Sequence, residues 1–178
     1  MLKTPLPLES RVAQQADFEV LITHEDLTES GSGTAQTLTF PIEAKMSAEC
    51  VRLILDEAFE DTATAGNNTT LVEVGDGGDT DRFLTSTELN KNGTEINLKA
   101  GTGTVYPYTA TDTVDILVTP KTGTTLASLN KGRMRLQFRI NDERAVALRS
   151  RAGERRERVE RRQNLRLVGL RPDRKSVV

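Results

Sequence analysis

The chain has 178 residues, 28% of them charged and 4% aromatic, with one Cys, one His and no Trp. A single thiol excludes an internal disulfide framework and a thiolate metal cluster, and a single imidazole argues against a His-built metal site or a His-bearing triad, so the common hydrolytic and redox enzymes are disfavoured and the chain is expected not to be an enzyme. No apolar run reaches the roughly 18 residues that a bilayer-spanning helix needs, and Met1-Leu2-Lys3-Thr4-Pro5 opens no signal-peptide apolar stretch, so neither a membrane partner nor export by a cleaved signal is expected.

In chain order, residues 1–16 are predicted to be an extended lead-in, because Pro5 and Pro7 argue against an early helix. From Asp17 to about Ile140 short β-prone runs alternate with turn residues. Phe18–Ile22 is predicted as a strand. Glu29-Ser30-Gly31-Ser32-Gly33 is a turn, and Thr34–Phe40 alternates with Leu38 and Phe40 on one face. Residues 50–59 fit two periods. Val51, Leu53 and Leu55 make a strand, whereas Val51, Ile54, Leu55, Ala58 and Phe59 make a helix face. The strand is preferred because the neighbouring runs are β-like. Leu71–Val74 leads into the turn Gly75-Asp76-Gly77-Gly78 and then Phe83-Leu84-Thr85. Asn92-Gly93 predicts a hairpin, since both residues accept the positive φ of a type I′ turn. Val105-Tyr106 and Val114–Val118 follow. In Arg133–Ile140 the residues Met134, Leu136, Phe138 and Ile140 face one way and Arg133, Arg135, Gln137 and Arg139 the other, which predicts a half-buried antiparallel strand with a wet basic side. The fold class expected is all-β, an antiparallel, jelly-roll-like β-sandwich over residues 17–141.

The formal charge of −2 hides two unlike parts. Acidic residues dominate up to Glu143, and Arg dominates residues 144–178, where Thr is absent. Residues 142–178 are predicted as an Arg-rich tail, a charged helix or a disordered arm, since a helix there would be charged nearly all round and dock poorly. Three readings stand side by side. The tail is a solvated helix; or it is a nucleic-acid arm acting through Arg155, Arg156, Arg158, Arg161 and Arg162 on phosphates, sequence-blind because no aromatic interleaves; or it is non-native. The last reading rests on Asp173-Arg174-Lys175-Ser176-Val177-Val178, which matches one frame of a common short-read sequencing adapter, so the natural sequence is expected to end at or before Pro172. Nucleic acid is a partner only if the tail is genuine.

Among candidate sites, Asp76, Asp79 and Asp81 could offer oxygens to a hard cation such as Ca²⁺, although Gly-rich Asp turns are also ordinary hairpin chemistry. No other cofactor is expected. Tyr106 and Tyr108, pinned by Pro107, could stack on a sugar, which frames the alternative of a carbohydrate-binding module; that use requires both rings coplanar and exposed. His24-Glu25-Asp26 is better read as a strand-end turn than an acid/base group, and Asp56-Glu57 with Glu60-Asp61 as a solvated acidic loop. Cys50 flanks an apolar run and reads as a small core residue. The sequons at Asn67–Thr70 and Asn92-Gly93-Thr94 read as loop residues.

The runs Val74-Gly75-Asp76-Gly77-Gly78-Asp79-Thr80-Asp81-Arg82-Phe83 and Leu126-Ala127-Ser128-Leu129-Asn130-Lys131-Gly132-Arg133 to Ile140, with the Thr/Gly-rich strand texture, resemble small β-rich virion proteins of tailed phages encoded near capsid genes. The resemblance spans roughly residues 17–141 and departs at the Arg-rich ending. It implies a non-enzymatic structural role such as head decoration, capsid stabilisation or a fibre base, with capsid or other virion proteins as partners. It also implies a homo-oligomer, a trimer on analogy, made in the bacterial host cytoplasm and located in the virion. It carries no catalytic residues.

Overall fold

Period-two burial runs through most of the chain. In β2 (Phe18–Thr23) Phe18, Val20 and Ile22 are buried, in β9 (Asp112–Thr119) Val114, Ile116 and Val118, and in β10 (Lys131–Asp142) Met134, Leu136 and Phe138. Each such side chain removed from water stabilises the fold by roughly 1.5–3 kcal/mol before conformational entropy is charged against it. A computed structural model describes residues 1–5, 16–63, 69–90 and 99–142 of the chain. These residues build two antiparallel β-sheets facing each other across one apolar core, and the helical turns among them are two short 3-10 segments, His24–Asp26 and Leu126–Ser128.

The first sheet, A, runs β1 (Leu2–Pro5), β2, β10, β4 (Met46–Glu60) and β7 (Lys99–Ala100), with β8 (Tyr106–Pro107) also on β4. The second, B, runs β3 (Gln36–Ile42), β9, β5 (Leu71–Asp76) and β6 (Asp79–Glu88). The pairings are nested. β5 pairs with β6 across the Gly77-Gly78 turn, β4 with β7, β3 with β9, and β2 with β10, where Phe18 lies opposite Phe138. Among the described residues the strands from β2 to β10 thus pair as one long hairpin with its tip at Gly77-Gly78, and alternate segments of that ribbon fall into opposite sheets.

One side of the sandwich is stitched by backbone. Gly101 N–H donates to Val51 O in sheet A (3.0 Å), and Thr102 N–H donates to Phe83 O in sheet B (2.9 Å). A Cβ on Gly101 would fall 1.8 Å from the Cys50 carbonyl oxygen, so the crossing requires glycine there. The opposite side ends in β1 and β3. Between them the Lys3 ammonium sits 4.2 Å from the Phe18 ring centroid and 4.7 Å from that of Phe40. Those rings join Phe138 in an aromatic cluster with centroids 5.0–5.4 Å apart.

Several expectations are refined. Residues 2–5 of the lead-in form β1, paired in register from Leu2↔Leu21 to Pro5↔Phe18. Residues 50–59 belong to the 15-residue strand β4. Its buried positions pass from Ala48 and Cys50 to Leu53, Leu55 and Phe59, so the alternation slips by one residue near Val51–Arg52. That slip is why a helical period also fits the run, although the strand is preferred. The Asn92-Gly93 hairpin, both sequon asparagine clusters and the tail beyond Asp142 lie outside the described residues.

Candidate functional site

The richest polar constellation stands at the tip of the long hairpin. Asp76 ends β5 and is 3% exposed. Its Oδ1 accepts from the backbone N–H of Gly78 (2.9 Å) and Asp79 (3.0 Å), which closes the turn. Arg82, across the hairpin on β6, donates through Nε to Oδ2 (2.7 Å) and through Nη2 to Oδ1 (3.3 Å). The Tyr108 hydroxyl donates to Oδ2 at 3.4 Å. The Arg82 guanidinium lies 3.9 Å from the Tyr106 ring centroid. Asp76 therefore ties the β5–β6 turn of sheet B to the chain around β8, which pairs with sheet A. The hydrogen bond to Asp76 holds the Arg82 pKa above its usual value. Burial, followed by the negative charge of Asp76, pushes the Tyr108 phenol up.

This geometry departs from the cation site imagined at Asp76, Asp79 and Asp81. The Asp76 oxygens are occupied by a guanidinium and two amides, while Asp79 is exposed with its carboxylate 4.0 Å from Arg82. Asp81 is exposed on β6. Among the described residues no group of three His, Cys, Asp or Glu could hold a metal ion. The tyrosines also differ from a sugar platform. Tyr108 is 3% exposed, and the Tyr106 and Tyr108 rings meet edge to face at 87° with centroids 5.0 Å apart. The coplanar exposed pair that stacking requires is not formed, because the Tyr108 ring joins the core and Arg82 lies against that of Tyr106.

A second polar array covers the outer face of sheet A. Arg135 on β10 grips Asp56 of β4 with two 2.7 Å hydrogen bonds and reaches Glu19 of β2 at 3.5 Å. Arg139 pairs with Glu49 (2.9 Å), Lys131 with Glu60 (3.5 Å), and the Gln137 amide donates to Glu19 (2.9 Å). The side of β10 expected to be wet and basic is instead neutralised by acids on both neighbouring strands, and Gln137 is 1% exposed. Asp56 and Glu60, expected from the sequence to lie in a solvated acidic loop, are counter-ions on the strand β4. The role of Arg82 is the one that the sequence reading does not reach; the available signal is a basic side chain six positions beyond Asp76 across a two-glycine turn.

A groove of about 390 Å³ at the edge of this array brings together Thr23, His24, Glu25, Asp56, Glu57, Gly132 and Arg133. His24-Glu25-Asp26 forms a 3-10 turn whose Asp26 carboxylate accepts from Thr23 N–H (2.9 Å) and Thr23 Oγ1 (3.1 Å), a capping role. Cys50 is buried and its thiol is pushed up to about 12, chiefly by burial, so it is a poor nucleophile. Arg155, Arg156, Arg158, Arg161 and Arg162 lie outside the described residues.

The two sheets differ in charge. The strands of sheet B carry Glu73, Asp76, Asp79, Asp81, Glu88, Asp112 and Asp115 against one base, Arg82, whereas the strands of sheet A carry seven bases and six acids.

No family model matches this chain, and no curated protein matches it. Among solved structures it is similar to a chain from the acidic stable capsid structure of Helicobacter pylori bacteriophage KHP30, with a TM-score of 0.36 and 12% identity, over 69% of this chain and 96% of that one. A likeness of that size carries no argument about function.

Proposed function

We propose that the chain is a jelly roll acting as a non-enzymatic structural subunit of a phage virion, in capsid decoration or stabilisation. The observation that carries this reading is the nested strand order. With β1 and β8 set aside, β2-β10-β4-β7 faces β3-β9-β5-β6, the order obtained by rolling one long hairpin into two Greek keys. Jelly rolls recur in capsid proteins, lectins and cupins, and fold alone does not choose among them. A cupin-like metal site built on histidines is disfavoured by a chain with one His. A lectin-like use of Tyr106 and Tyr108 is disfavoured by the burial of Tyr108. A capsid role is supported by the resemblance at Val74–Phe83 and Leu126–Ile140, because both runs do structural work: one forms the braced hairpin tip and the other the strand at the centre of the sheet A ion pairs. The acidic strands of sheet B suit docking on a basic surface of a capsid lattice.

Particles of a phage that encodes this chain, purified on a density gradient and digested, are expected to yield its peptides at a fixed ratio to those of the major coat protein. Recovery of the chain only from the unassembled fraction of the lysate would overturn the proposal.

A further inference from the structure

Edge strands expose unpaired N–H and C=O groups, and proteins guard them with charge, prolines, covering segments or brevity. The edges of this sandwich are guarded unequally. β1 has four residues and ends in Pro5. β6 carries Asp79, Asp81, Arg82 and Glu88, and Thr102 hydrogen-bonds to its Phe83 carbonyl. β3 has seven residues, and among the described residues β9 is its only strand partner. From Ser30 to Ile42 not one residue is charged, in a chain that is 28% charged.

Pro41 fixes which groups the edge presents. The ladder to β9 runs unbroken from Gln36↔Val118 through Pro41↔Thr113 to Ile42↔Asp112. A proline keeps such a ladder only when its nitrogen points off the sheet. Residues of the same parity, Thr37 and Thr39, then direct both N–H and C=O outward, and Pro41 directs its carbonyl outward. The side chains of Thr37, Thr39 and Pro41 are exposed.

We infer that β3 is a self-association edge, pairing antiparallel with β3 of a second copy about a twofold axis through Leu38. In that register Thr37 and Thr39 lie opposite Thr39 and Thr37 of the other copy and exchange both bonds, and each Pro41 carbonyl meets an Ala35 N–H. The match is self-complementary in parity, and the outer face gains Thr–Thr cross-strand pairs. A second copy is the occupant this strand favours, because its outward groups repeat about Leu38 and its own residues, uncharged from Ser30 to Ile42, set no like charges opposite one another, whereas sheet B face to face with itself would repel. The pairing is independent of docking on a lattice, so either can fail without the other.

Sedimentation equilibrium of the full 19.6 kDa chain is expected to give twice that mass as concentration rises. Thr37→Glu/Thr39→Glu sets like charges opposite one another across the axis, with no base beside them on β9, where Asp115 lies opposite residue 39, and is expected to return the monomer while the far-ultraviolet circular dichroism stays unchanged. If that variant fails to fold, hydrogen exchange on the unaltered chain decides: the Thr37 and Thr39 amides are expected to exchange at least tenfold more slowly in concentrated than in dilute solution, with the Ile116 amide unchanged. A monomer at every concentration, a trimer, a dimer that persists in the folded double variant, or no concentration dependence at Thr37 and Thr39 overturns the inference.

Discussion

The carboxylate of Asp76 accepts from two backbone amides, a guanidinium and a phenol, and it is almost fully buried. Removing Arg82 would leave that charge without its counter-ion and uncover the Tyr106 ring. Arg82→Ala is therefore expected to cost about 2–3 kcal/mol, less than a fully buried pair would because the Arg82 side chain is 20% exposed. A fall in Tm of roughly 5–10 °C in calorimetry checks this for a domain of this size. A loss under 1 kcal/mol (about 3 °C) would mean that the turn amides alone hold Asp76. The Cys50 thiol gives a pH signature at the same scale. Its folded pKa is pushed from 9.0 to about 12, so the unfolded chain loses this proton first as pH rises. The contribution is fully present below pH 9 and is lost between 9 and about 12, with a slope approaching about 1.4 kcal/mol per pH unit. Tyr108, also pushed up by burial, adds a further loss above pH 10. Denaturant titrations from pH 8 to 10.5 are expected to show this decline, shallower in Cys50→Ala; equal slopes in the two proteins would refute the assignment to Cys50.

At the scale of elements, β10 is held less by its charges than by Met134, Leu136 and Phe138, all wholly buried. Arg135 is 34% exposed in its side chain, so its two-point grip on Asp56 is worth about 0.5–1 kcal/mol in a double-mutant cycle with Arg135→Met and Asp56→Ala. That coupling should shrink by about half between low salt and 1 M salt, where the screening length falls to about 3 Å. A coupling that is insensitive to salt would place the pair in a drier setting than the geometry gives. Strands such as β9 and β10 were legible because apolar and polar side chains alternate without interruption. β4 was ambiguous because its buried set slips from Ala48 and Cys50 to Leu53 and Leu55, and a one-residue slip destroys period two over the window in which a reader measures it. The candidate site was half legible for a similar reason. Asp76 stood out in its glycine turn, but its partners come from β6 and from Tyr108, and only the hairpin and the crossing at Gly101–Thr102 bring them together.

For the molecule as a whole, the nested pairing joins strands about as far apart as the described chain allows, Phe18 with Phe138, so local patterns could name the strands and the class but not their order. The same rolling sorts charge. β10 lands between β2 and β4, and its bases meet Glu19, Glu49 and Asp56, while the strands sent to sheet B keep their acids with Arg82 alone. Near the middle of that sheet Asp115 has a buried Oδ1 with no hydrogen-bond partner. It lies opposite Gly75 of β5, two residues along the ladder from the Glu73↔Leu117 pair, so Glu73 is its diagonal neighbour on the same face. Burial of an unsatisfied oxygen and a like charge nearby both work against stability. Asp115→Asn is therefore expected to stabilise the free protein by about 0.3–1 kcal/mol, read as a higher urea midpoint at unchanged m. If the acidic strands serve docking, the same variant should be incorporated less well into particles in competition with the unaltered chain, a trade of binding for stability. A stabilised variant that is incorporated equally well would separate the two properties and remove this acidic face from the docking proposal; a destabilised one would show that Asp115 has a compensating partner.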